Sequence, residues 1–199
     1  MCPLFESIKL VNGEFINLDL HQQRVDRSRR EILGNNNRLN LMEILQVPEQ
    51  YSTGIVKCRV SYGEDAGPVI FSKYVRKVID SIQLVSCPRF DYSYKYEDRS
   101  KIDGLLQQAA GCDEILISCE GLVTDTSYSN IVLYDGVDWY TPARPLLEGT
   151  QRAKLLAEGV IEKADIHVSE LVDFQKLVLI NAMLGFEPEH YIAINNIKL

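Results

Sequence analysis

The sequence predicts a mixed α/β (α+β) fold in two parts. Its 199 residues are 46% hydrophobic and 25% charged, the composition of a globular chain that is large enough to bury a core. Short alternating strands and amphipathic helices follow one another along the chain. Residues 87–100 are rich in aromatic and charged side chains and fit neither pattern. They predict a boundary between a small N-terminal α/β domain, residues 1–86, and a C-terminal domain, residues 87–199.

The first part is predicted to begin with a β-hairpin and a helix. Residues 4–18 include an alternating stretch and the pair Asn12-Gly13, which is typical of a two-residue hairpin turn. The next stretch, LDLHQQRVDRSRREIL, has apolar residues at heptad spacing and predicts a helix. We expect Asn17 to be its N-cap and Gly34 to end it.

The rest of the first part is predicted to be mainly strands. A short helix at 41–45 comes before a strand at 55–62. That strand alternates regularly, so one face should be buried. The residues of this face are Val56, Cys58, Val60 and Tyr62. Further strands are expected at 68–74 and 81–86.

The second part is predicted to contain two hairpins and two helices. Apolar residues between Ile102 and Ala110 stand at helical spacing, and Gly111 should end that helix. The hairpins pair 114–118 with 122–125 and 131–134 with 138–141, each across a turn that contains glycine. A helix from about 150 to 159 and a buried strand at 177–182 complete this part.

Charge and composition exclude several classes of function. A net charge of −7 and a pI near 5.0 argue against a nucleic-acid surface, which needs a basic stripe. No apolar run reaches the length of a membrane span, and no signal peptide is visible. The five cysteines lack CxxC spacing and are interpreted as small hydrophobic residues; no metal site is expected. We therefore expect a cytoplasmic protein.

Lys95 is the first candidate for chemistry. It lies in YSYKYEDR, just before the helix that begins near Ile102. A lysine among aromatic side chains is partly desolvated, which favours the neutral, nucleophilic amine. The alternative from this segment alone is a surface lysine whose stem packs on the tyrosines.

A second candidate is Asp125, in the segment from Glu120 to Asn130. A buried carboxylate there can pair with a protonated ring nitrogen of a cofactor. The alternative is an Asx turn that Asp125 forms with Thr126 and Ser127.

Two further candidates suit a phosphate group. Gly149 and Thr150 open the helix at 150–159, and free N–H groups at a helix N-terminus bind anions. Thr150 is alternatively a simple N-cap. Arg24 lies on the first helix, where a long arginine side chain is more often solvated.

The order of these features resembles the class IV aminotransferase family, the fold-type-IV enzymes that depend on pyridoxal 5′-phosphate (PLP). The likeness extends from Phe5-Glu6-Ser7-Ile8 to Asn181-Ala182-Met183. The segment of Lys95 and Arg99 is similar to the one that carries the Schiff-base lysine. The blocks GLVTDTSYSNIVLYDG and WYTPARPLLEGTQR resemble those of the pyridine-nitrogen acid and the phosphate turn, and LHQQRV resembles the phosphate-arginine motif.

The resemblance implies a role for each matching residue. Lys95 would be the catalytic residue and carry PLP, and Asp125 stands where the family usually has glutamate. The other implied cofactor-binding residues are Arg24, Asn130, Gly149, Thr150, Gln151, Asn181 and Ala182. We hypothesise that Arg59, Tyr62, Tyr94 and Arg99 bind the substrate carboxylate or close the pocket. The implied architecture is an N-terminal α/β sandwich and a C-terminal β-rich pseudo-barrel with helices, with PLP in a cleft, in a homodimer.

The reaction stays open among three alternatives. A 4-amino-4-deoxychorismate lyase would release pyruvate and 4-aminobenzoate, and the "NAM" sequence at residues 181–183 favours this branch. The second alternative is an aminotransferase of branched-chain or D-amino acids. The third is a relative that binds PLP without turnover. Two features keep it open: family members usually carry further residues before Phe5 that supply part of the substrate pocket, and Asp125 stands in place of the usual glutamate.

Overall fold

Residues 4–199 are described by a computed structural model, and they form two compact units. The first unit extends to Arg76 and also includes Tyr94–Asp98, and the second comprises Lys77–Ser93 and Arg99–Leu199. The sequence predicted a single boundary before residue 87, whereas the first unit ends at Arg76 and takes up a second, separate segment. Each unit has its own sheet structure and its own core, so the two are described separately.

The first unit contains a four-stranded antiparallel sheet with the order β2-β1-β3-β4. The predicted hairpin is present, and its turn residues Asn12 and Gly13 have φ angles of 49° and 85°, the left-handed region that such a turn requires. The predicted helix and the strand at 55–62 are also present. The elements are β1 (Leu4–Val11), β2 (Glu14–Phe15), α1 (Leu18–Leu33), α2 (Leu41–Ile44), β3 (Ile55–Tyr62) and β4 (Ala66–Lys73).

One face of this sheet packs against α1. Alternate residues of β1 and β3 point to it, because side chains on a strand alternate between faces. Leu4 is paired with Tyr62, and Ile8 with Cys58. These side chains form a core with Val25 of α1, all of them at most 1% exposed. We call this side of the sheet the helix face and the other side the open face.

The segment Tyr94–Asp98 lies beside the start of β1. The Phe5 amide donates a hydrogen bond to the Lys95 carbonyl (3.0 Å), and Leu4 forms an antiparallel bridge with Tyr96. Lys95 is therefore opposite Phe5 and shares the open face with it. Tyr94 and Tyr96 point the other way and pack on the core of the helix face.

The second unit contains two sheets within the described residues. Their strand orders are β13-β5-β6-β7 and β10-β9-β8-β11-β12. Both predicted hairpins are present as β6–β7 and β8–β9. The elements are β5 (Ile82–Cys87), α3 (Ser100–Leu106), β6 (Glu114–Cys119), β7 (Leu122–Thr126), β8 (Asn130–Tyr134), β9 (Trp139–Pro142), α4 (Thr150–Ala157), β10 (Glu162–Ala164), β11 (Lys176–Ile180), β12 (Ile192–Ala193) and β13 (Ile197–Lys198).

Two parallel crossovers organise this unit. The connection between the parallel strands β5 and β6 contains α3, and the connection between β9 and β10 contains α4. The pairing of β5 with β6 places β5 in the second unit, although the strand predicted at 81–86 was assigned to the N-terminal domain. Apolar side chains from β8, β11 and α4 form a buried cluster, with Val132, Val178 and Leu155 among its members.

Two local predictions need correction. The helix expected up to Ala110 ends at Leu106, because the chain turns through Ala110 and Gly111, whose φ angles are 50° and 82°. Asn17 stands at the N-cap of α1 as predicted, but its side chain makes no capping hydrogen bond and its φ is 53°. Its carbonyl accepts hydrogen bonds from the amides of Leu20 and His21 instead.

Two expectations from composition concern membranes and cysteines. Among residues 4–199, no helix has both the length and the apolar character needed to cross a membrane. The four cysteines in this range are free thiols; Cys58 and Cys119 are buried, and Cys87 and Cys112 are partly exposed. Cys2 lies outside the described residues.

Candidate active site

Lys95 lies over the ring of Phe5 on the open face. Its Nζ atom is 4.7 Å from the ring centroid, and Phe5 itself is 5% exposed. An aromatic neighbour was expected for this lysine. The structure shows that the neighbour comes from β1, whereas the adjacent Tyr94 and Tyr96 point to the helix face.

Arg59 shares this face with Lys95. Its guanidinium carbon lies 3.7 Å from the centroid of the same Phe5 ring. Arg59 Nη2 also donates to Oε1 of Glu97 at 3.0 Å, and the Ser61 hydroxyl donates to the same oxygen. One aromatic ring thus holds a guanidinium and an amine, and a carboxylate neutralises the guanidinium.

Arg24 is buried against an acid on the helix face. Its Nε and Nη2 atoms donate to the two carboxylate oxygens of Glu6, the first at 2.8 Å. Glu6 is fully buried, which by itself would raise the pKa of its carboxyl. The Arg24 charge and the hydrogen bonds from His21 and Arg24 outweigh burial and hold the pKa of Glu6 at about 2. Glu6 is therefore ionised at neutral pH.

His21 completes this buried network. Its Nδ1 atom lies 2.6 Å from Oε2 of Glu6. Burial lowers the pKa of His21, and this outweighs the opposite effect of Glu6. A neutral imidazole then donates from Nδ1 to the carboxylate. Glu6 therefore accepts hydrogen bonds from two side chains of α1, those of His21 and Arg24. The predicted phosphate contact of Arg24 stays a prediction.

Tyr62 and Tyr94 both lie on the helix face. Tyr62 is 1% exposed, and burial together with the Glu6 charge raises the pKa of its phenol. The Tyr94 hydroxyl donates to Glu31 of α1 at 2.9 Å. The hypothesis that these tyrosines contact substrate together with Arg59 is not supported, because the sheet separates them from the face of Lys95 and Arg59.

Asp125 is a buried acid at the end of β7. Its Oδ2 atom accepts hydrogen bonds from the amides of Leu146 (2.5 Å) and Leu147 (3.1 Å), and Oδ1 accepts one from Asn130 Nδ2 (2.6 Å). Burial raises the pKa of Asp125 to about 6, although these hydrogen bonds and the Arg152 charge act in the opposite direction. A carboxylate has about four acceptor positions, so Oδ1 can accept one more donor.

Asn130 and Gly149 fit against each other next to Asp125. Asn130 Nδ2 also donates to the Leu147 carbonyl at 2.8 Å, which fixes the amide. A Cβ atom on residue 149 would lie 2.1 Å from Oδ1 of Asn130, so a side chain there is excluded. Gly149 is therefore needed for close packing, while its φ of −71° would be open to other residues.

We expect Gly149→Ala to displace Asn130 and break its hydrogen bonds to Asp125 and Leu147. Loss of buried hydrogen bonds should lower the free energy of unfolding by ~2–3 kcal/mol and weaken PLP binding at least ~10-fold. Thermal unfolding and PLP titration measure both effects.

Gly104→Ala is the matched control for this substitution. Gly104 lies within α3, and nothing lies within 4 Å of the position of an added Cβ. Alanine there should increase the free energy of unfolding by ~0.5–1 kcal/mol and leave PLP binding unchanged. Equal stability and equal PLP affinity for the Gly149→Ala and wild-type proteins would contradict the role given to Gly149.

The N-terminus of α4 offers a set of amide donors. Gly149 is the N-cap, so no side chain caps the first turn, and the amides of Thr150 and Gln151 point out of the helix end. Arg152 fixes this end to β9 by donating to the Pro142 carbonyl (2.8 Å) and to the Thr141 hydroxyl (3.3 Å). This donor set suits a phosphate group.

Asn181 lies just after β11, beside the start of β8. Its Nδ2 atom donates to Ser129 Oγ at 2.8 Å, and its Oδ1 accepts from the amides of Met183 and Leu184. The structure thus brings Asn181 next to the loop that leads into Asn130. Asn181 closes a turn through these bonds, and the cofactor contacts of Asn181 and Ala182 remain predictions.

Arg99 is attached to the loop between β7 and β8. Its Nη2 atom donates to the Ser127 carbonyl at 2.8 Å and lies 3.6 Å from Asp103. Ser127 is also held by Glu114, whose carboxylate accepts from the Ser127 hydroxyl at 2.8 Å. This chain of bonds fixes the loop between Asp125 and Asn130.

Sequence reasoning missed three acids in these networks: Glu6, Glu97 and Glu114. Glu6 had a usable signal, because it stands between Leu4 and Ile8 at a position that should face the core. An acid at such a position requires a buried cation. Glu97 and Glu114 were not singled out by any motif, and their partners Arg59 and Ser127 are known only from the structure.

Comparison with known proteins places the chain in a family. Residues 100–188 match the sequence model of the family described as amino-transferase class IV. A candidate 4-amino-4-deoxychorismate lyase from Haemophilus somnus 129PT is 34% identical, with a TM-score of 0.80, and the match covers 94% of this chain and 98% of that chain. The chain belongs to the class IV aminotransferase family.

Two further proteins are similar to this member of the class IV aminotransferase family. An uncharacterized protein of Haemophilus influenzae is 41% identical over 93% of this chain and the whole of that protein. A hypothetical aminotransferase from Mycobacterium tuberculosis, in a PLP-bound form, is 18% identical with a TM-score of 0.77, covering 98% of this chain and 81% of that chain. At that identity, the likeness shows the fold alone.

The chain is therefore a PLP-dependent enzyme with the mixed α/β fold of its family. Each unit contains groups of the kinds that this cofactor needs. Asp125 has an acceptor position left for a ring nitrogen, α4 presents amides that suit a phosphate, and Lys95 supplies an amine.

Proposed function

We propose that the chain holds PLP as a Schiff base on Lys95 and releases pyruvate from 4-amino-4-deoxychorismate, leaving 4-aminobenzoate. The observation that carries this proposal is the 34% identity to the Haemophilus somnus candidate lyase over nearly the full length of both chains. That similarity favours the lyase over the other reactions of the family.

Each proposed residue has a separate task. When bound, PLP supplies an electron sink that stabilises negative charge on the substrate carbon. The Lys95 amine, once released by an incoming amine, removes and returns a proton at carbon. Asp125 keeps the ring nitrogen protonated, and Asn130 holds Asp125 in position. The amides of Gly149, Thr150 and Gln151 bind the phosphate.

Arg24 is proposed to add positive charge at the phosphate. Its two bonds to Glu6 fix the guanidinium in the layer between β1 and α1. Because Glu6 accepts from both Nε and Nη2, and His21 in turn holds the Glu6 carboxylate, Arg24 would keep one orientation whether or not a phosphate is present. A rigid guanidinium loses little conformational entropy on binding an anion.

The second candidate function is transamination of branched-chain or D-amino acids. The description of the matching family as amino-transferase class IV favours it. Both reactions would use the Lys95 amine and the Asp125 carboxylate. They differ in the last step: the lyase expels a leaving group, whereas the aminotransferase returns a proton to the cofactor. We also propose that the enzyme is a cytoplasmic homodimer that acts in folate biosynthesis, as the family resemblance implies.

The decisive experiment compares substrates on PLP-loaded protein. One reaction contains 4-amino-4-deoxychorismate, and the others contain branched-chain or D-amino acids with 2-oxoglutarate. We expect equimolar pyruvate and 4-aminobenzoate from the first and no 2-oxo acid from the others. Formation of 2-oxo acids without pyruvate from the first would establish the aminotransferase. Turnover in neither, by protein that carries PLP, would indicate a relative that binds PLP without catalysis.

A further inference from the structure

We infer that Arg59 binds the carboxylate of an amino substrate and that Glu97 is the internal counterion which this carboxylate replaces. The inference deepens the proposed function and rests on the role of Lys95 in it. It assigns the contact with the substrate's carboxylate to one arginine, and it assigns a positioning role to an acid that the sequence did not single out.

The geometry around Phe5 places the two cationic groups together. Arg59 Cζ lies 3.7 Å and Lys95 Nζ lies 4.7 Å from the centroid of one ring. Stacking on an aromatic face holds the planar guanidinium in one orientation. A substrate amine that reacts at Lys95 would therefore bring a nearby carboxylate within reach of Arg59 on the same face of the sheet.

Arg59 is better suited to this task than two other arginines of the first unit. The side chain of Arg24 is buried and bonded twice to Glu6. Arg29 is also buried and donates to the backbone carbonyls of residues 37, 63 and 64. The side chain of Arg59 is 32% exposed, so an anion can approach it from solution.

Glu97 occupies the position that a substrate carboxylate would need. Its Oε1 accepts from Arg59 Nη2 at 3.0 Å and from the Ser61 hydroxyl, and its side chain is 28% exposed. Partly exposed ion pairs are weak, so another carboxylate can replace Glu97. A guanidinium also binds carboxylates through paired N–H groups, which the single bond to Glu97 does not use fully. Glu97 then keeps Arg59 and Ser61 in position between substrates.

The test titrates PLP-loaded variants with matched amines. Alanine, as either enantiomer, carries a carboxylate, and ethylamine lacks it. The concentration that half-changes the visible absorbance band gives an apparent Kd for each amine. The variants are Arg59→Met, Arg59→Lys and Glu97→Gln. Arg30→Met is the control, because Arg30 is an exposed residue of α1 in a long 3.4 Å pair with Glu31.

Arg59→Met should weaken alanine binding ~10- to 100-fold and leave ethylamine unchanged, since a charge-assisted hydrogen bond is lost only for the carboxylate. Arg59→Lys should restore part of the loss. Glu97→Gln should tighten alanine binding about two- to fivefold, because the competing carboxylate is removed. Arg30→Met should match the wild type. An equal effect of Arg59→Met on both amines, or weaker alanine binding by Glu97→Gln, would overturn the inference.

A second measurement does not require turnover or a bound cofactor. Calorimetry compares 4-aminobenzoate with its neutral amide, 4-aminobenzamide, on the wild type and Arg59→Met. We expect a preference for the carboxylate that Arg59→Met removes. If borohydride-reducible PLP is absent from Lys95, the proposed function fails, and this preference alone decides the role of Arg59. A wild type that does not prefer the carboxylate in this comparison overturns the inference.

Discussion

Replacing Lys95 with alanine is expected to abolish the borohydride-sensitive visible band of the PLP-loaded protein and to lower turnover ~10³-fold or more. The substitution removes both the point of attachment and the amine that moves the proton, and a positioned acid–base group alone contributes about 10²- to 10⁴-fold. Absorbance spectra before and after borohydride, together with the pyruvate assay, measure the two effects. We expect PLP still to bind without a covalent bond, through the proposed phosphate and ring-nitrogen contacts.

Lys101→Ala is the control for Lys95→Ala. Lys101 is an exposed residue of α3 that lies 5.6 Å from the Phe90 ring centroid, so it has a similar contact with an aromatic ring. Its removal should leave the band and the turnover unchanged. If Lys95→Ala keeps a reducible band, PLP is attached to another lysine, and the proposed role of Lys95 is wrong.

Glu6→Ala is expected to have the largest effect on stability, a loss of ~3–5 kcal/mol in the free energy of unfolding. It removes the carboxylate that accepts two hydrogen bonds from the Arg24 guanidinium, which is 7% exposed. Removing one member of a buried ion pair costs this much because the remaining charge stays desolvated and loses the opposite charge that stabilised it. Chemical denaturation of the wild type and the variant measures the difference.

Two controls separate the buried charge from other effects of Glu6→Ala. Asp165→Ala breaks the exposed pair with Arg144 (2.9 Å) and should cost at most ~1 kcal/mol. The double variant Glu6→Leu with Arg24→Met replaces the ion pair with apolar side chains and should regain most of the lost stability. It should nevertheless bind PLP more weakly than the wild type, since Arg24 is proposed to contact the phosphate. A double variant as unstable as Glu6→Ala would argue against this explanation.

The same pair should make the stability of the protein depend on pH in acid. The pKa of Glu6 is about 2 in the folded protein and near 4.5 ordinarily, so its contribution is fully present above pH 4.5. As the pH falls from 4.5 towards 2, the unfolded state takes up the proton first, and ~3 kcal/mol of stability is lost. Glu6→Ala should remove this part of the acid dependence, which denaturation at several pH values would show.

Local patterns predicted most elements of the fold because local chemistry determines them. Asn12-Gly13 requires a left-handed turn and therefore makes a hairpin, and the alternation of residues 55–62 requires a half-buried strand. The limits of the units were harder to predict. They depend on β5 pairing with β6 and on Tyr94–Asp98 joining β1, and these pairings connect residues that are far apart in sequence.

The candidate site, like the fold, could be predicted only where local motifs determine it. Asp125, Asn130 and Gly149 were identified from their motifs, and the structure shows direct contacts among them, including a 2.6 Å hydrogen bond and a position where no Cβ fits. The motifs could not show which side of a sheet a residue faces. Tyr62 and Arg59 are three residues apart on one strand and so point to opposite faces, which leaves only Arg59 with Lys95.

The family and the dependence on PLP could be predicted from residue types at set spacings, and the same motifs supply the proposed cofactor residues. Lys95 was among them, although its immediate neighbours suggested the wrong aromatic partner. Only the tertiary structure decided which charges are paired. Glu6 with Arg24, and Glu97 with Arg59, meet because strand pairing and the packing of α1 bring distant segments together. Two charges pair when they lie close together in space, and the spacing of residues along the sequence does not show which distant charges will do so.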